Sequence, residues 1–201
     1  NEDYLANLNI QYTNVAWIDI DWKDGSKNHD IPLAYGDATV TGDLPTTGTK
    51  RYDLDDVTAN MEIYTTSSNS VKVLSSGEGT ITVNFDTKKV TGSITLNKFY
   101  EYEAWLQGGG CSGAAELFGL GTFSAAVDGS ISGGDIDATL IINEVSVADG
   151  EVTAGEGRML ATLFGPAGGE LGTTFYIYED QDLDENSGVY WWDFFGAGYG
   201  D

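Results

Sequence analysis

The sequence predicts an all-β protein, an antiparallel up-and-down β-barrel of about eight strands. Three observations support this fold class: apolar and polar residues alternate along most of the chain, glycine-rich turns separate the alternating runs, and helical periodicity is weak throughout. The barrel is predicted to be soluble, with its apolar side inward and an N-terminal strand segment beside it. Closure would also remove the exposed strand edges that such a chain otherwise offers to aggregation.

The chain is predicted to divide into an N-terminal strand segment, residues 1–34, and the barrel itself, residues 35–201. Within the first part, residues 9–12 and 15–22 are expected to form one or two strands. We expect this segment either to pack on the barrel of its own chain or to be exchanged onto a neighbouring copy.

Two hairpins of similar internal spacing follow. In the first, residues 80–85 alternate strictly, residues 86–89 form the turn, and residues 90–96 alternate again. In the second, the Asp-Gly-Ser sequence at 128–130 is predicted to turn between two alternating runs. Each hairpin therefore has one apolar face for the core and one polar face.

A third hairpin is centred on the glycine-rich turn at residues 165–169, and a last strand covers residues 189–195 before a polar, glycine-rich tail. A transmembrane barrel shows the same alternation, but its strands need about 9–11 residues to cross the bilayer. The runs 80–85 and 90–96 are shorter, which favours a barrel in water. The best helical candidate, residues 114–118, makes one or two turns at most.

Composition excludes several classes of function. Nine Lys and Arg against 32 Asp and Glu give a formal net charge of −23, which leaves no basic face for nucleic acid or for an anionic membrane surface. The single Cys111 excludes an intrachain disulfide, and the single His29 excludes a two-histidine metal site. No stretch approaches the roughly 18 apolar residues of a transmembrane helix. No nucleophile elbow or phosphate loop is present, so the chain is predicted not to be an enzyme.

Three segments resemble motifs of one known protein family. Residues 163–175, LFGPAGGELGTTF, resemble an FxGPxAxELGGxF hairpin, which in that family ends one barrel strand and begins the next. Residues 43–52, DLPTTGTKRY, resemble its opening DxPxxGxxxY strand, and residues 83–94 resemble its VDF…VSGxL hairpin. The motifs follow the family's order over roughly residues 35–178, and on these motifs the chain resembles the transferrin-binding-protein-like surface lipoproteins.

The resemblance implies a non-enzymatic bacterial protein at the outer-membrane surface or secreted, which recognises an external ligand or protein partner. Family members bind different partners through differing loops and additional domains, so fold alone does not identify the ligand. The pair Gly168-Gly169 replaces the common Asn-Ala before Glu170, which puts the shape of that turn in doubt. The larger members' second, partner-binding domain has no room in this chain, so transferrin is not the expected partner.

A second interpretation is structural. The chain would then be a subunit of an extracellular filament or surface assembly, in which residues 1–22 pair with the sheet of a neighbouring copy. Such a homo-oligomer would be joined through its terminal strands.

The aromatic run at residues 190–195, YWWDFF, is the main candidate for partner binding. On a strand, Tyr190, Trp192 and Phe194 share one face, opposite the face that carries Trp191 and Phe195. A soluble barrel needs only one apolar face, so the second is either covered by the N-terminal segment or offered to a partner. The candidate partner-binding residues are Tyr190, Trp192, Phe194, Trp17 and Trp22.

One acidic loop is a candidate calcium site. Asp180, Asp182 and Asp184 alternate as in the first half of a Ca²⁺-binding loop, but Glu185 stands where that loop has glycine and Trp191 where it has glutamate. The competing interpretation is a solvated acidic hairpin loop. No cofactor other than this candidate calcium ion is predicted.

Overall fold

The computed structural model describes residues 12–21, 28–64, 70–101, 122–147, 150–151, 156–178 and 191–201. Within these ranges it describes the backbone alone for residues 17–21, 28–31, 55–56, 61–64, 70–74, 100–101, 144–147, 150–151, 156, 178 and 191–195. The predicted helical turn at residues 114–118 lies outside the described residues.

The described part of the chain contains eleven strands and two short 3-10 turns. The strands are β1 (Thr13–Asp21), β2 (Asn28–Gly36), β3 (Thr49–Tyr64), β4 (Ser70–Asn84), β5 (Lys89–Glu101), β6 (Thr122–Ser132), β7 (Asp135–Val147), β8 (Gly150–Glu151), β9 (Glu156–Phe164), β10 (Glu170–Tyr178) and β11 (Trp191–Gly200). The 3-10 turns are Thr41–Asp43 and Pro166–Gly168. Across the residues described, no helix has the length and apolar character that a membrane crossing requires.

Eight of these strands close into an antiparallel barrel, which confirms the predicted fold class. The order around the barrel is β3, β4, β5, β6, β7, β9, β10, β11, and β11 then pairs with β3. Every neighbour in space is therefore also a neighbour in sequence, apart from the closing pair and the two-residue β8 that pairs with β7. This is the up-and-down arrangement that consecutive hairpins build most simply.

The barrel interior is filled by apolar side chains from seven of the eight strands, and the described inward positions of β11 are Gly196, Gly198 and Gly200. Their alternation with outward polar residues follows the period-two pattern of the sequence. The largest fully buried side chains include Tyr52, Phe99, Phe123, Ile136, Leu140 and Met159. The core is thus a packed layer of aromatic and aliphatic groups.

Two strands are longer than the alternating runs that predicted them. The runs 80–85 and 90–96 belong to β4, which has 15 residues, and β5, which has 13. A register shift at Ser76/Gly77 interrupts the alternation while the strand continues, because a bulge changes which face each later residue occupies. The strand lengths inferred from the runs were therefore wrong.

Two turn predictions also need correction. The Asp-Gly-Ser sequence at 128–130 lies inside β6, and the chain turns later, at residues 133–134. Gly133 has φ +62°, a conformation that glycine adopts without strain. The glycine-rich residues 196–200 are part of β11 and pair with β10, so they are a strand and not a tail.

The N-terminal hairpin consists of β1 and β2, which form a separate two-stranded antiparallel sheet in register from Thr13–Gly36 to Asp21–Asn28. Residues 15–22 were predicted as a strand, but β2 was not. It contains Pro32, which has no backbone N–H and therefore weakens a strand prediction. The hairpin lies against the outer side of β10 and β11.

Candidate partner-binding surface

The outer surface of the barrel can be assigned from the strand register. Residues that pair across antiparallel strands share a face. Phe175 and Ile177 are buried in the interior, so the alternate positions on β10, Gly172, Thr174 and Tyr176, point outward. Their partners on β11 include Tyr199 and Ala197, which therefore occupy the outer face of that strand.

One end of this outer face is covered. Ala197 and Tyr199 occupy outward positions, yet they are only 1% and 6% exposed. The N-terminal hairpin covers this end: a Cβ atom built on Gly172 would lie 2.7 Å from Thr13 Cγ2 and 2.9 Å from Ala34 Cβ. We call the outward positions Gly172, Ala197 and Tyr199 the covered wall.

Hydrogen bonds at Tyr12 fasten the start of the hairpin to the barrel. The backbone N–H of Tyr12 donates to Glu170 Oε2 at 2.9 Å, and the Tyr12 carbonyl accepts from the N–H of Asp37 at 3.0 Å. The Tyr12 ring lies over the backbone of Gly165. Glu170 belongs to the glycine-rich motif found in the sequence, so this motif both turns the chain and holds the N-terminal segment.

The connection after β2 is held by the same turn. The N–H of Thr39 donates to the carbonyl of Leu163 at 2.9 Å, and the Thr39 hydroxyl donates to the carbonyl of Gly165 at 2.6 Å. The N–H of Gly165 in turn donates to the carbonyl of Asp37 at 2.8 Å. Both ends of the hairpin are therefore anchored at one place on the barrel.

Two side chains of β3 tie this turn to the strand that closes the barrel. The hydroxyl of Tyr52 donates to the carbonyl of Gly168 at 2.8 Å, and Lys50 Nζ donates to the carbonyls of Gly168 and Gly169 at 3.2 and 2.7 Å. Burial raises the pKa of Tyr52 well above its usual range. Burial also lowers the pKa of Lys50, an effect opposed by the charges of Asp201 and Glu170. These groups stabilise the turn structurally.

The rest of the same outer face is uncovered. Ile141 on β7, Leu160 on β9 and Tyr176 on β10 are 43%, 45% and 40% exposed. They surround Arg158, because Tyr176 pairs directly with Arg158, Leu160 follows it by two residues, and Ile141 lies diagonally across from it. We call the surface formed by Ile141, Leu160, Tyr176, Arg158 and Asp137 the bare wall.

Arg158 is engaged within the bare wall. Its Nε and Nη2 atoms donate to the two carboxylate oxygens of Asp137 at 2.9 and 2.6 Å, and Tyr176 lies directly opposite on β10. The hydrogen bond from Arg158 lowers the pKa of the Asp137 carboxyl, and the same bond raises the pKa of the guanidinium. Both groups are charged at neutral pH, and their charges largely cancel.

A smaller apolar surface lies on the N-terminal hairpin. Leu33 and Tyr35 of β2 are 43% and 48% exposed, and they pair with Ala16 and Asn14 of β1. They occupy the face of the hairpin opposite Thr13 and the buried Pro32, which lie toward the barrel. We call Leu33 and Tyr35 the hairpin outer face.

The structure leaves the aromatic residues predicted from the sequence untested. Trp17 pairs with Pro32, Trp192 with Ile63, and Phe194 with Ile177, but only the backbone is described for these three aromatic residues. Tyr190 and Trp22 lie outside the described residues. Their role in partner binding therefore stays a prediction.

The candidate calcium loop is also outside the described residues, because Asp180, Asp182 and Asp184 all lie within 179–190. Among the residues that are described, no group of three or more histidine, cysteine or carboxylate side chains is arranged to hold a metal ion. Calcium binding stays a prediction.

Sequence reasoning missed the bare wall. A signal was available, since Leu160 places an apolar side chain at a strand position whose neighbours two residues away, Arg158 and Thr162, are polar. It could not be used without knowing which strands the N-terminal hairpin covers. What the wall offers chemically is an apolar contact area with a neutralised ion pair at its centre, an arrangement suited to recognition.

No protein-family model matches the chain, and no curated protein matches it. Solved structures do. A point mutant of transferrin-binding protein B from Haemophilus parasuis aligns with a TM-score of 0.55 at 16% identity, over 95% of this chain and 33% of that one. Intact Ap-TbpB, with its N and C lobes, aligns with a TM-score of 0.52 at 16% identity, over 95% of this chain and 34% of that one.

Isotype 1 transferrin-binding protein B from serogroup B Neisseria meningitidis aligns with a TM-score of 0.52 at 15% identity, over 96% of this chain and 32% of that one. The chain thus spans about a third of the length of these proteins. At such low identity the likeness shows the fold. It confirms the resemblance to the barrel domain of transferrin-binding-protein-like proteins that the sequence motifs indicated.

Proposed function

We propose that this chain is a non-enzymatic binding protein of the transferrin-binding-protein-like barrel type, which acts at the bacterial cell surface or after secretion and recognises an external protein partner. The structural neighbours are transferrin-binding proteins, and this supports a binding function on a surface-protein fold. The identity of the partner is not carried over from them, since the chain corresponds to about a third of their length.

The observation that carries the proposal is the contrast between the interior and the exterior of the barrel. The interior side chains that the structure describes are buried and almost all apolar, and they form one core cluster. Exposed large apolar groups are instead found on the outer surface, at the bare wall, at the hairpin outer face and at the single Val40 in the connection after β2. Exposed apolar area of this kind is typical of protein interfaces.

The predicted aromatic residues Tyr190, Trp192, Phe194, Trp17 and Trp22 remain candidates within this proposal. The structural alternative, a filament or surface assembly, requires residues 1–22 to pair with a neighbouring sheet. In the structure β1 pairs with β2 of the same chain along its whole length, so such an assembly would have to displace that pairing or add to a free edge.

Native mass spectrometry of the protein isolated from its native source tests the proposal. We expect the mass of one chain, 21.5 kDa for the sequence given, together with a second protein in fixed ratio. A bare single chain would contradict partner binding, and a series of multiples of the chain mass would favour the assembly. Spectra recorded before and after a chelator would also show whether the acidic loop with Asp180, Asp182 and Asp184 retains calcium.

A further inference from the structure

We propose that the bare wall is the docking surface for a basic segment of a protein partner, whose apolar side chains cover Leu160, Tyr176 and Ile141 and whose lysines or arginines approach the surrounding carboxylates. The inference rests on the proposed function and deepens it. It specifies where on the barrel the partner binds and what chemistry its contact segment must have.

The first argument is the size and placement of the apolar area. Leu160, Tyr176 and Ile141 lie on three successive strands, and neighbouring strands are about 4.8 Å apart. Tyr176 is a diagonal neighbour of Leu160, and Ile141 lies on the other side of Arg158, so a single peptide segment that crosses Arg158 can contact all three side chains. The outer faces of a barrel with a filled interior are otherwise polar, and nothing in the described structure covers these three residues.

The second argument is charge. Arg158 is the only lysine or arginine in residues 99–201, a stretch with more than a dozen carboxylates. Its guanidinium is bound by both oxygens of Asp137. Asp135, which accepts a hydrogen bond from the Thr162 hydroxyl at 3.0 Å, adds a negative charge at the edge of the wall.

These charges select the partner. A chain with net charge −23 attracts a basic surface from a distance, while the apolar contact supplies affinity once the two surfaces meet. A second copy of this chain would also carry a net charge of −23, and like charges would oppose that dimer. A basic protein segment that also carries apolar side chains of about the size of leucine matches both the negative charge of the chain and the apolar area of the bare wall.

A designed peptide tests the site directly. The probe is the acetylated, amidated peptide Lys-Leu-Ser-Lys-Leu-Ser-Lys, titrated into the full chain labelled with ¹⁵N. One control peptide has serine in place of both leucines, and a second has glutamate in place of all three lysines. We expect chemical-shift changes at residues 137–141, 158–160 and 174–176, and binding weakened by about tenfold or more with either control.

Variants then separate the bare wall from the other exposed apolar surface. The double variant Leu160→Ser, Tyr176→Ser should weaken peptide binding by about tenfold or more, since both side chains are partly solvent-exposed and their loss removes contact area without opening the core. The matched variant Leu33→Ser, which changes an equally exposed leucine on the hairpin outer face, should leave the affinity unchanged. Thermal unfolding of all variants confirms that they remain folded.

Several results would overturn the proposal: no binding at millimolar peptide, shift changes centred on Leu33 and Tyr35 or spread over the acidic loops, equal binding of the leucine-free peptide, or unchanged affinity of the double variant. The proposed function is judged separately by the native mass spectrum. A retained partner together with peptide binding elsewhere would leave the proposed function standing and exclude the bare wall, whereas the absence of any retained partner would contradict the proposed function itself.

Discussion

The covered wall and the bare wall lie on the same outer face of the barrel, and strand β10 contributes to both. Gly172 lies in the covered wall, and Tyr176, four residues later on the same face, lies in the bare wall. At the covered end the outward Ala197 and Tyr199 are almost fully buried, whereas Tyr176 is 40% exposed. Outward positions on one barrel wall can therefore be either buried or exposed. Whether a position is buried depends on whether the N-terminal hairpin covers that end of the wall.

The difference is visible in residue size and in polar contacts. The covered wall has glycine where the hairpin comes closest, because Thr13 and Ala34 leave no room for a side chain at residue 172. It is fastened by Glu170, whose carboxylate accepts the Tyr12 N–H. The bare wall has large side chains that no described segment covers, around an ion pair that cancels its own charge.

The largest expected effect on stability comes from truncating an interior side chain that lies beneath both walls. Phe175 lies in the interior beneath them and is 2% exposed, so Phe175→Ala should lower the free energy of unfolding by about 3–5 kcal/mol. Hydrogen exchange should accelerate in the hairpin and in β7 and β9 together. Denaturant unfolding measures the loss, and Tyr176→Ala, one residue further along with its side chain outward, is the control. A loss below about 1 kcal/mol for Phe175→Ala would contradict the interior placement of this ring.

The next effect breaks the covered wall alone. In Gly172→Val the new side chain would overlap Thr13 and Ala34, and overpacking of this kind costs about 1–3 kcal/mol. We expect faster hydrogen exchange at residues 12–16 and 32–36, with little change in β7. Thr174→Val, on the same face of the same strand but only half-buried, is the matched control and should change stability by about 0.5 kcal/mol or less. Equal effects of the two substitutions would show that the hairpin does not press on Gly172.

A third substitution tests the contact between β3 and the turn at residues 165–169, which lies beside the covered wall. Tyr52→Phe removes the hydrogen bond to the Gly168 carbonyl and should cost about 0.5–1.5 kcal/mol at neutral pH. The pKa of Tyr52 is raised in the folded state, so its contribution to stability is complete below the ordinary tyrosine pKa of 10.0 and is lost as the pH rises above that value. Stability of the parent protein should therefore fall above pH 10, by up to about 1.4 kcal/mol per pH unit from this group.

The comparison with Tyr52→Phe isolates this alkaline effect. Lys50 acts with the opposite sign, because its lowered pKa makes stability rise with pH up to its ordinary value of 10.5. Lys50 is present in both proteins, so its contribution largely cancels in their difference. Denaturant unfolding between pH 9 and pH 11, about one unit on each side of the tyrosine pKa, gives the free energy of unfolding of the parent protein and of Tyr52→Phe as a function of pH. Parallel curves would show that Tyr52 ionises equally in both states.

The smallest effect is expected on the bare wall. Leu160→Ser removes an exposed side chain with no described cover, so it should change the free energy of unfolding by about 0.5 kcal/mol or less. Leu163→Ser, three residues along the same strand but fully buried, should instead cost about 2–5 kcal/mol. A large loss with Leu160→Ser would mean that this leucine is structural and that the bare wall is not free for a partner.

Much of the fold could be predicted because alternation reports directly which side chains share a face. The hairpin around residues 165–169 was predicted with nearly its observed bounds, since a glycine- and proline-containing turn separates two runs rich in apolar residues. The turn at 128–130 was misplaced because an Asp-Gly pair is a strong turn signal, although here the glycine lies in a strand against Ala138. β2 was missed because Pro32 interrupts its pattern.

The candidate site was less predictable for a different reason. The aromatic run at 190–195 drew attention by composition, yet composition does not say which outer positions another segment covers. Ile141, Leu160 and Tyr176 each look ordinary in their own strand, and they become one surface only when three strands lie side by side. Their exposure then depends on where the hairpin ends.

The sequence by itself determined the barrel, because period-two alternation and turn residues act locally and each hairpin specifies its own pairing. It also determined the charge balance and the motif around Glu170 that turns the chain. Only the tertiary structure decided which part of the outer surface is covered. That outcome depends on contacts between residues more than 150 positions apart, such as Tyr12 with Glu170, and no local pattern encodes a contact at that separation.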